Sequence, residues 1–296
     1  MGKIMLAQQL VNGIVISSIY ALAALGLALI LSTLDIPDFA QGQMYMLAAF
    51  IGYFLVVKYH FGILFTIFIT MVIVAFLGVF VERLTYRRIR KRAQGLRYGA
   101  FHLLLILAAF AIGIILENAA LLFFGEYVRS IPTPYSEKIY QFWGISIPQI
   151  RVIVIIIVGI IIAGLQIFIT KSKWGKAMRA VAQNPLGAAM SGINLDRIFS
   201  ITFAVGSAMG AATGCLLGII FNVEPTMGFL PVLKGFVVIV VAGMGSMIGI
   251  ILSSFLLGMS ESLGGGYLSS AYTDTIAFGI LIIALTLKPF GLLGRE

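Results

Sequence analysis

Charge is scarce in this sequence: among 296 residues there are 20 Lys or Arg and 11 Asp or Glu, while 60% of residues are hydrophobic and the mean hydropathy is +1.08. Soluble domains carry roughly 25% charged residues to cover their surface, so an aqueous fold is excluded. Cysteine is nearly absent. With only Cys215 there is no disulfide framework and no thiolate metal site. The two histidines, His60 and His102, are too far apart in sequence to suggest a histidine metal cluster, so neither a metal nor a cofactor is expected. A G-x-x-x-x-G-K-S/T phosphate loop is also missing, and with it the cradle that holds ATP phosphates. There is no His-Glu-x-x-His pair and no histidine close to a serine, so no catalytic residue is assigned.

What is present is length of apolar sequence. A helix needs about 20 apolar residues to cross the ~30 Å hydrocarbon layer. Eight stretches of about that kind occur, at 6–34, 39–57, 63–81, 103–124, 152–170, 198–222, 235–260 and 263–287. Lipid offers no partner to backbone N–H and C=O groups, so such segments must be helical. The expected fold class is all-α, a polytopic transmembrane helical bundle of eight to nine segments forming a single domain over 1–296. The first stretch is too long for a secretory signal and lacks its basic start and cleavage site, so it is expected to remain in the protein.

The net charge of +9 follows from cytoplasmic loops, not from nucleic-acid binding, and no nucleic-acid partner is expected. Lysine and arginine accumulate on the cytoplasmic side of a membrane protein. Arg83, Arg87, Arg88, Arg90, Lys91, Arg92 and Arg97 crowd the 82–101 loop against a single acid, Glu82. Lys171, Lys173, Lys176, Arg179 and Arg197 crowd the 171–197 loop. Two crossings separate these loops, so both fall on the cytoplasmic side and the amino terminus lies outside. With single crossings throughout, Lys288 and Arg295 would then also lie outside. A tail on the inside requires the 235–260 stretch to be broken, and Gly243, Met244, Gly245 and Ser246 offer the place, since each glycine costs a helix up to ~1 kcal/mol.

Three features carry functional expectations. Gly206, Gly210, Gly214 and Gly218 recur every fourth residue and so share one helix face, a small-residue groove for close helix packing. The packing partner is expected within the same chain, a second subunit being the alternative. Within the basic 171–197 loop, Asn184 before Pro185 makes a helix start and Gly192 a stop, giving a short helix at 185–191. Leu186, Ala189 and Met190 make its apolar patch. At this length it is marginal alone and needs something to dock against. Within the spans, Glu117 followed by Asn118 places a carboxylate at membrane depth, where charge costs at least ~2.5 kcal/mol and commonly faces a wet interior. Glu261 and Asp274 flank a glycine-rich break at 264–266. Lys234, after Pro231, is read as a boundary residue, a headgroup anchor or a gate. Cys215 and the 12 methionines read as packing groups.

Arg179, Ala180, Ala182, Ala188, Gly192, Ile193, Asn194 and Arg197, leading into the glycine-rich helix, make a pattern that resembles the permease subunits of branched-chain amino acid ABC importers. Three further blocks are similar in the same order: QQLVNGIVISSIYALAALGLALI at 8–30, KGFVVIVVAGMGSMIG at 234–249 and LKPFGLLG at 287–294. The resemblance implies a membrane-spanning subunit of an ATP-driven importer in a prokaryotic plasma (inner) membrane. It also implies ATP-binding subunits docked on the cytoplasmic helix through Asn184, Pro185, Leu186, Gly187, Met190 and Gly192, an extracytoplasmic solute-binding protein, a paralogous second permease chain and surrounding membrane lipids. The cargo implied is a branched-chain or related amino acid or a similar small polar solute, since relatives also serve urea, short amides and aromatic carboxylates. Where the family reads like NFAHGE, this chain has Asp38, Phe39, Ala40, Gln41, Gly42 and Gln43, with amides replacing two titratable groups. Gln41, Gln43, Glu117 and Asn118 are the expected pathway residues. Two other readings are an ion-gradient-driven transporter with Glu117 as proton site, and a membrane-embedded lipid-modifying enzyme whose basic 82–101 loop binds headgroups.

Overall fold

The computed structural model describes residues 2–93, 98–135, 138–142, 145–243, 245–267, 269–288 and 291. Arg97, Met244, Arg295 and most of the 287–294 block lie outside the described residues. The described residues are predominantly helical. α1 is Gly2–Leu34, α2 Gln41–Tyr59 and α3 Ile63–Val81; a π-helical turn, Glu82–Tyr86, carries α3 directly into α4, Arg87–Arg92. α5 is Tyr98–Phe124 and α6 Gln149–Lys171. α7 (Lys173–Gln183) and α8 (Pro185–Met190) precede α9 (Leu195–Ile220). α10 (Phe229–Ala242), α11 (Met247–Tyr267) and, after a 3-10 turn at Ser270–Tyr272, α12 (Thr273–Leu287) complete the chain.

Six of these helices are long and apolar enough to cross a membrane: Ile4–Leu34, Ile63–Arg92, Gly99–Phe124, Gln149–Lys171, Leu195–Ile220 and Met247–Tyr267. The expected eight to nine segments exceed this number for a local reason. α10 and α12 have 14 and 15 residues, about 21–23 Å at ~1.5 Å per residue, short of the hydrocarbon thickness. The polar residues Gln41, Gln43 and Lys58 dilute α2.

The break at 243–246 is present. α10 ends at Ala242, Gly243 and Gly245 take φ of 85° and 95°, and α11 starts at Met247. Such backbone angles suit glycine, so the two glycines end one helix and free the chain to begin another. The second glycine-rich run behaves differently. Gly264–Gly266 lies inside α11, and the chain leaves the helix only after Tyr267. A side chain at Gly266 would strike Gln9, with its Cδ 2.5 Å away, and one at Gly264 would strike Ile276. These glycines serve close packing, which is why they do not stop the helix.

Besides α7, two elements went unforeseen. The 125–151 region, between the fourth and fifth apolar stretches, contains an antiparallel hairpin, β1 (Ile139–Phe142) with β2 (Ile145–Pro148), in which Tyr140 faces Ile147. The start of the basic 82–101 segment is helix as far as Arg92, because no glycine, proline or cap interrupts α3 before that point.

The chain forms two compact units. One comprises residues 1–25, 132–161 and 231–296. In it Ser262 donates to the Gln9 carbonyl at 2.7 Å, and Gly258 lets α11 lie against the Ser17 backbone. The other comprises 26–131 and 162–230 and is organised on α9, which packs against both α2 and α3. The four glycines of α9 explain how closely. Gly206 faces Ile30 and the Gly26 carbonyl, Gly210 faces Gln41 and Tyr45, Gly214 lies on the Tyr45 backbone, and Gly218 faces Val223, Ile131 and Ala49. The small-residue stripe therefore packs on helices of its own chain.

Candidate functional site

Within the α9-centred unit, the short helix α8 is built as its residues dictate. The Asn184 side-chain oxygen accepts from the Gly187 amide at 2.8 Å, and Pro185 occupies the first helical turn, where a missing N–H costs nothing. At the other end Gly192 adopts φ 82°, its amide donates to Ala189 and that of Ile193 to Ala188, the paired bonds of a Schellman stop. The helix is Pro185–Met190, one residue shorter than expected. Its two faces differ. Ala188 is buried, whereas Leu186 and Met190 are 72% and 83% exposed. Ala189 and Pro185 are exposed beside them.

α7, which sequence reading missed, supports α8 from behind. Ser172 caps it, accepting from the Gly175 amide at 2.9 Å, and Gly175, Met178 and Val181 form its buried face, leaving Lys173, Lys176 and most of its basic side in the open. The signal was there in the serine cap and the three-residue spacing of the apolar positions, hidden by the high charge. Met178, Val181 and Ala188 share one apolar cluster with Ile36, Ala40 and Phe203. α8 thus shares, through Ala188, the same core as the connection between α1 and α2.

That connection is held tightly. Asp38 is buried; its carboxylate accepts from the Ala40 amide at 3.1 Å and from the Tyr86 hydroxyl at 2.7 Å. Burial drives its pKa up from 3.8 to about 6, the two hydrogen bonds opposing the rise. Tyr86 belongs to the π-helical turn, a type of irregularity frequent at functional positions. Its ring packs on Phe203 of α9 at 5.0 Å between centroids. In the same turn Glu82 is fully buried, paired with Arg90 and accepting from the Ser200 hydroxyl at 2.7 Å.

Immediately after Asp38 come the amides. Gln41 is fully buried and donates from Nε2 to the Gly206 carbonyl at 2.7 Å; Gln43 is buried and donates from Nε2 to Glu117 Oε2 at 3.1 Å. The Oε1 atoms of both amides, and the Ser207 hydroxyl on the neighbouring α9, are buried without a hydrogen-bond partner among the described residues. Asn118 is exposed and donates back to the Ile114 carbonyl at 2.8 Å, so the fold brings Gln43 and Glu117 together but turns Asn118 away.

The other unit contains a cluster that sequence reading did not assemble. Lys234 is buried. Its Nζ lies 3.1 Å from Glu261 Oε1, 2.9 Å from Asp274 Oδ1 and 3.1 Å from the Tyr20 hydroxyl, which itself donates to Glu261 Oε2 at 2.7 Å. Four residues spread over more than 250 positions meet at one ammonium, so no local spacing could have revealed it. Glu261 and the fully buried Glu82 are more buried than Glu117, which is only half-buried.

Long apolar helices, glycine-tight packing and a capped helix with an exposed apolar face define a multi-pass membrane protein. The chain belongs to the family described as "Branched-chain amino acid transport system / permease component", which it matches over residues 9–285. It is 30% identical to the high-affinity branched-chain amino acid transport system permease protein BraD of Pseudomonas aeruginosa, the match covering 97% of this chain and 95% of the relative. Identity and coverage are the same for the permease protein LivH of Escherichia coli K12. A probable branched-chain amino acid transport permease LivH of Methanocaldococcus jannaschii is 25% identical over 96% of this chain and 91% of its own length. No solved structure matches. The family places the chain among the permease components of importers, transport proteins rather than enzymes.

Proposed function

We propose that this chain is the permease of an ATP-driven importer for branched-chain or related amino acids in a prokaryotic inner membrane, and that α8 is the helix gripped by its ATP-binding subunits. The observation that carries the reading is the two-sidedness of α8: Leu186 and Met190 are exposed, while Ala188 shares a cluster with Ile36 and Ala40, one residue before Gln41. A push on the outer face of α8 is transmitted through that cluster to the start of α2. Hydrolysis belongs to the partner subunits. ATP binding supplies unequal stabilisation of two states of the permease, the only way a ligand can shift such an equilibrium.

In this reading both basic segments, around Arg87–Arg92 and Lys171–Arg197, are cytoplasmic and the amino terminus is outside, as the lysine and arginine bias implies. A solute-binding protein delivers cargo to the outer face, and a second, paralogous permease chain completes the path. Gln41 and Gln43 line it. Two buried amide oxygens lacking donors suit the ammonium of an amino acid, because a buried acceptor left unpaired costs ~1–3 kcal/mol. Glu117, hydrogen-bonded to Gln43, orients that amide.

The test is reconstitution of the complete importer with Leu186→Asp and Met190→Asp. Transport is expected to fall at least tenfold while the melting temperature of the permease stays unchanged, since both side chains are already in the open. Full coupled transport by this variant refutes the docking role.

A further inference from the structure

The α9-centred unit has an open groove of about 350 Å³ where the end of α3 meets the start of α9. Its walls carry Arg83, Arg87, Arg197 and Ser200 together with Val79 and Ile201. Three guanidiniums face a single carboxylate, Asp196. That carboxylate is already committed, lying 2.7 Å from Arg87 Nη2 and 3.5 Å from Lys91 Nζ. Arg83 and Arg197 are exposed and have no acidic partner among the described residues. The groove therefore offers two free guanidiniums, the side-chain chemistry that best matches the oxygens of a phosphate.

A second groove of about 330 Å³ shares Val79 and Arg83 with the first and runs along α3, lined by Phe76, Phe80, Leu84 and Arg88. Apart from Arg83 and Arg88 the walls are apolar: Phe76 is 72% and Phe80 61% exposed, on a helix long and apolar enough to lie in lipid. A soluble anion would use the first groove alone. A molecule with a phosphate at one end and a hydrocarbon chain at the other uses both, with Arg83 at the junction. This juxtaposition separates a lipid from a free phosphate, and the excess positive charge separates an anionic lipid from a zwitterionic one.

We infer that the joined grooves at the α3–α9 end bind one anionic glycerophospholipid, its phosphate held by Arg83 and Arg197 and an acyl chain lying along Val79, Phe76 and Phe80. No α8 residue lines either groove. By filling the cleft between α3 and α9, the lipid braces the helix that carries the glycine stripe.

Native mass spectrometry of the purified full-length chain, offered dioleoylphosphatidylglycerol and dioleoylphosphatidylcholine in equal amounts, tests it. One tightly retained phosphatidylglycerol is expected. Retention should fall about thirtyfold in Arg83→Gln/Arg197→Gln, taking roughly fivefold per basic residue near an anionic headgroup, and persist in Arg83→Lys/Arg197→Lys. Val79→Trp keeps every charge but blocks the junction and should also lose the lipid; melting curves establish that each variant is folded. Equal retention of both lipids overturns the inference, as does undiminished phosphatidylglycerol in the glutamine pair and in Val79→Trp. Complete displacement by millimolar inorganic phosphate would assign the groove to a soluble anion and sink the lipid. Should the glutamine pair lose the ATP-binding subunit while keeping its lipid, the arginines belong to that protein interface instead.

Discussion

Replacing Gly214 with alanine adds one methyl group at the tightest point of the α2–α9 contact. The new Cβ would overlap the Tyr45 carbonyl oxygen and lie 2.6 Å from the Tyr45 carbonyl carbon and 2.8 Å from its Cα. Carbon atoms sit comfortably at about 3.5–4.0 Å, so the helices must part by roughly 1 Å, and backbone atoms cannot turn aside as a side chain can. Overpacking of this kind costs ~1–3 kcal/mol. Parting the helices also stretches the Gln41 bond to the Gly206 carbonyl, 2.7 Å long, another ~1 kcal/mol. Against this stands a helix-propensity gain of ~1 kcal/mol for alanine over glycine. The net loss is about 3 kcal/mol at the upper end, several degrees in melting temperature. The control is Gly164→Ala in α6, where a Cβ meets nothing within 4 Å and the propensity gain acts alone. Melting of both variants in the same detergent, followed by tryptophan fluorescence, decides the matter. A Gly214→Ala protein as stable as the parent, alongside a neutral or stabilised Gly164→Ala, would refute the idea that the stripe exists for backbone contact.

Two further outcomes are expected. Lys234→Met strands the buried Glu261 carboxylate and should destabilise by ~3–5 kcal/mol, whereas Asp274→Asn, at a half-exposed partner, should cost under ~1 kcal/mol; Lys234→Met/Glu261→Gln should recover most of the loss in thermal melts. Asp38 titrates higher in the folded protein, about 6 against 3.8, so its neutral form favours folding. That contribution is fully present below about pH 3.8 and disappears as pH rises through 6, a change of roughly 3 kcal/mol. Unfolding in mixed micelles from pH 4 to 7 should show this slope in the parent and lose it in Asp38→Asn; equal slopes would count against the buried carboxyl.

Much of α8 was legible in advance because its determinants are neighbours in the chain. An asparagine cap, a proline at the first turn and a glycine stop act over three or four residues, and Asn184, Pro185 and Gly192 act in the fold as they read in the sequence. The break after Ala242 was legible for the same reason. Gly264–Gly266 misled because the same residue type either ends a helix or admits a neighbour, and only the presence of Gln9 and Ile276 beside it makes the choice. α7 was obscured by three basic residues on a helix whose buried side is only Gly175, Met178 and Val181.

Composition by itself determined that the chain lives in lipid and is helical, since unpaired backbone groups cannot be tolerated there and no local alternative satisfies them. Spacing determined that four glycines share a face. Tertiary structure decided what that face touches, and it gathered Tyr20, Lys234, Glu261 and Asp274 around one buried charge. It also turned Gln43 toward Glu117 and Asn118 outward. A helix carries its own hydrogen bonds and can be foreseen from a short window. An ion cluster is stable only when distant segments exclude solvent together, and that condition exists only once the chain has folded.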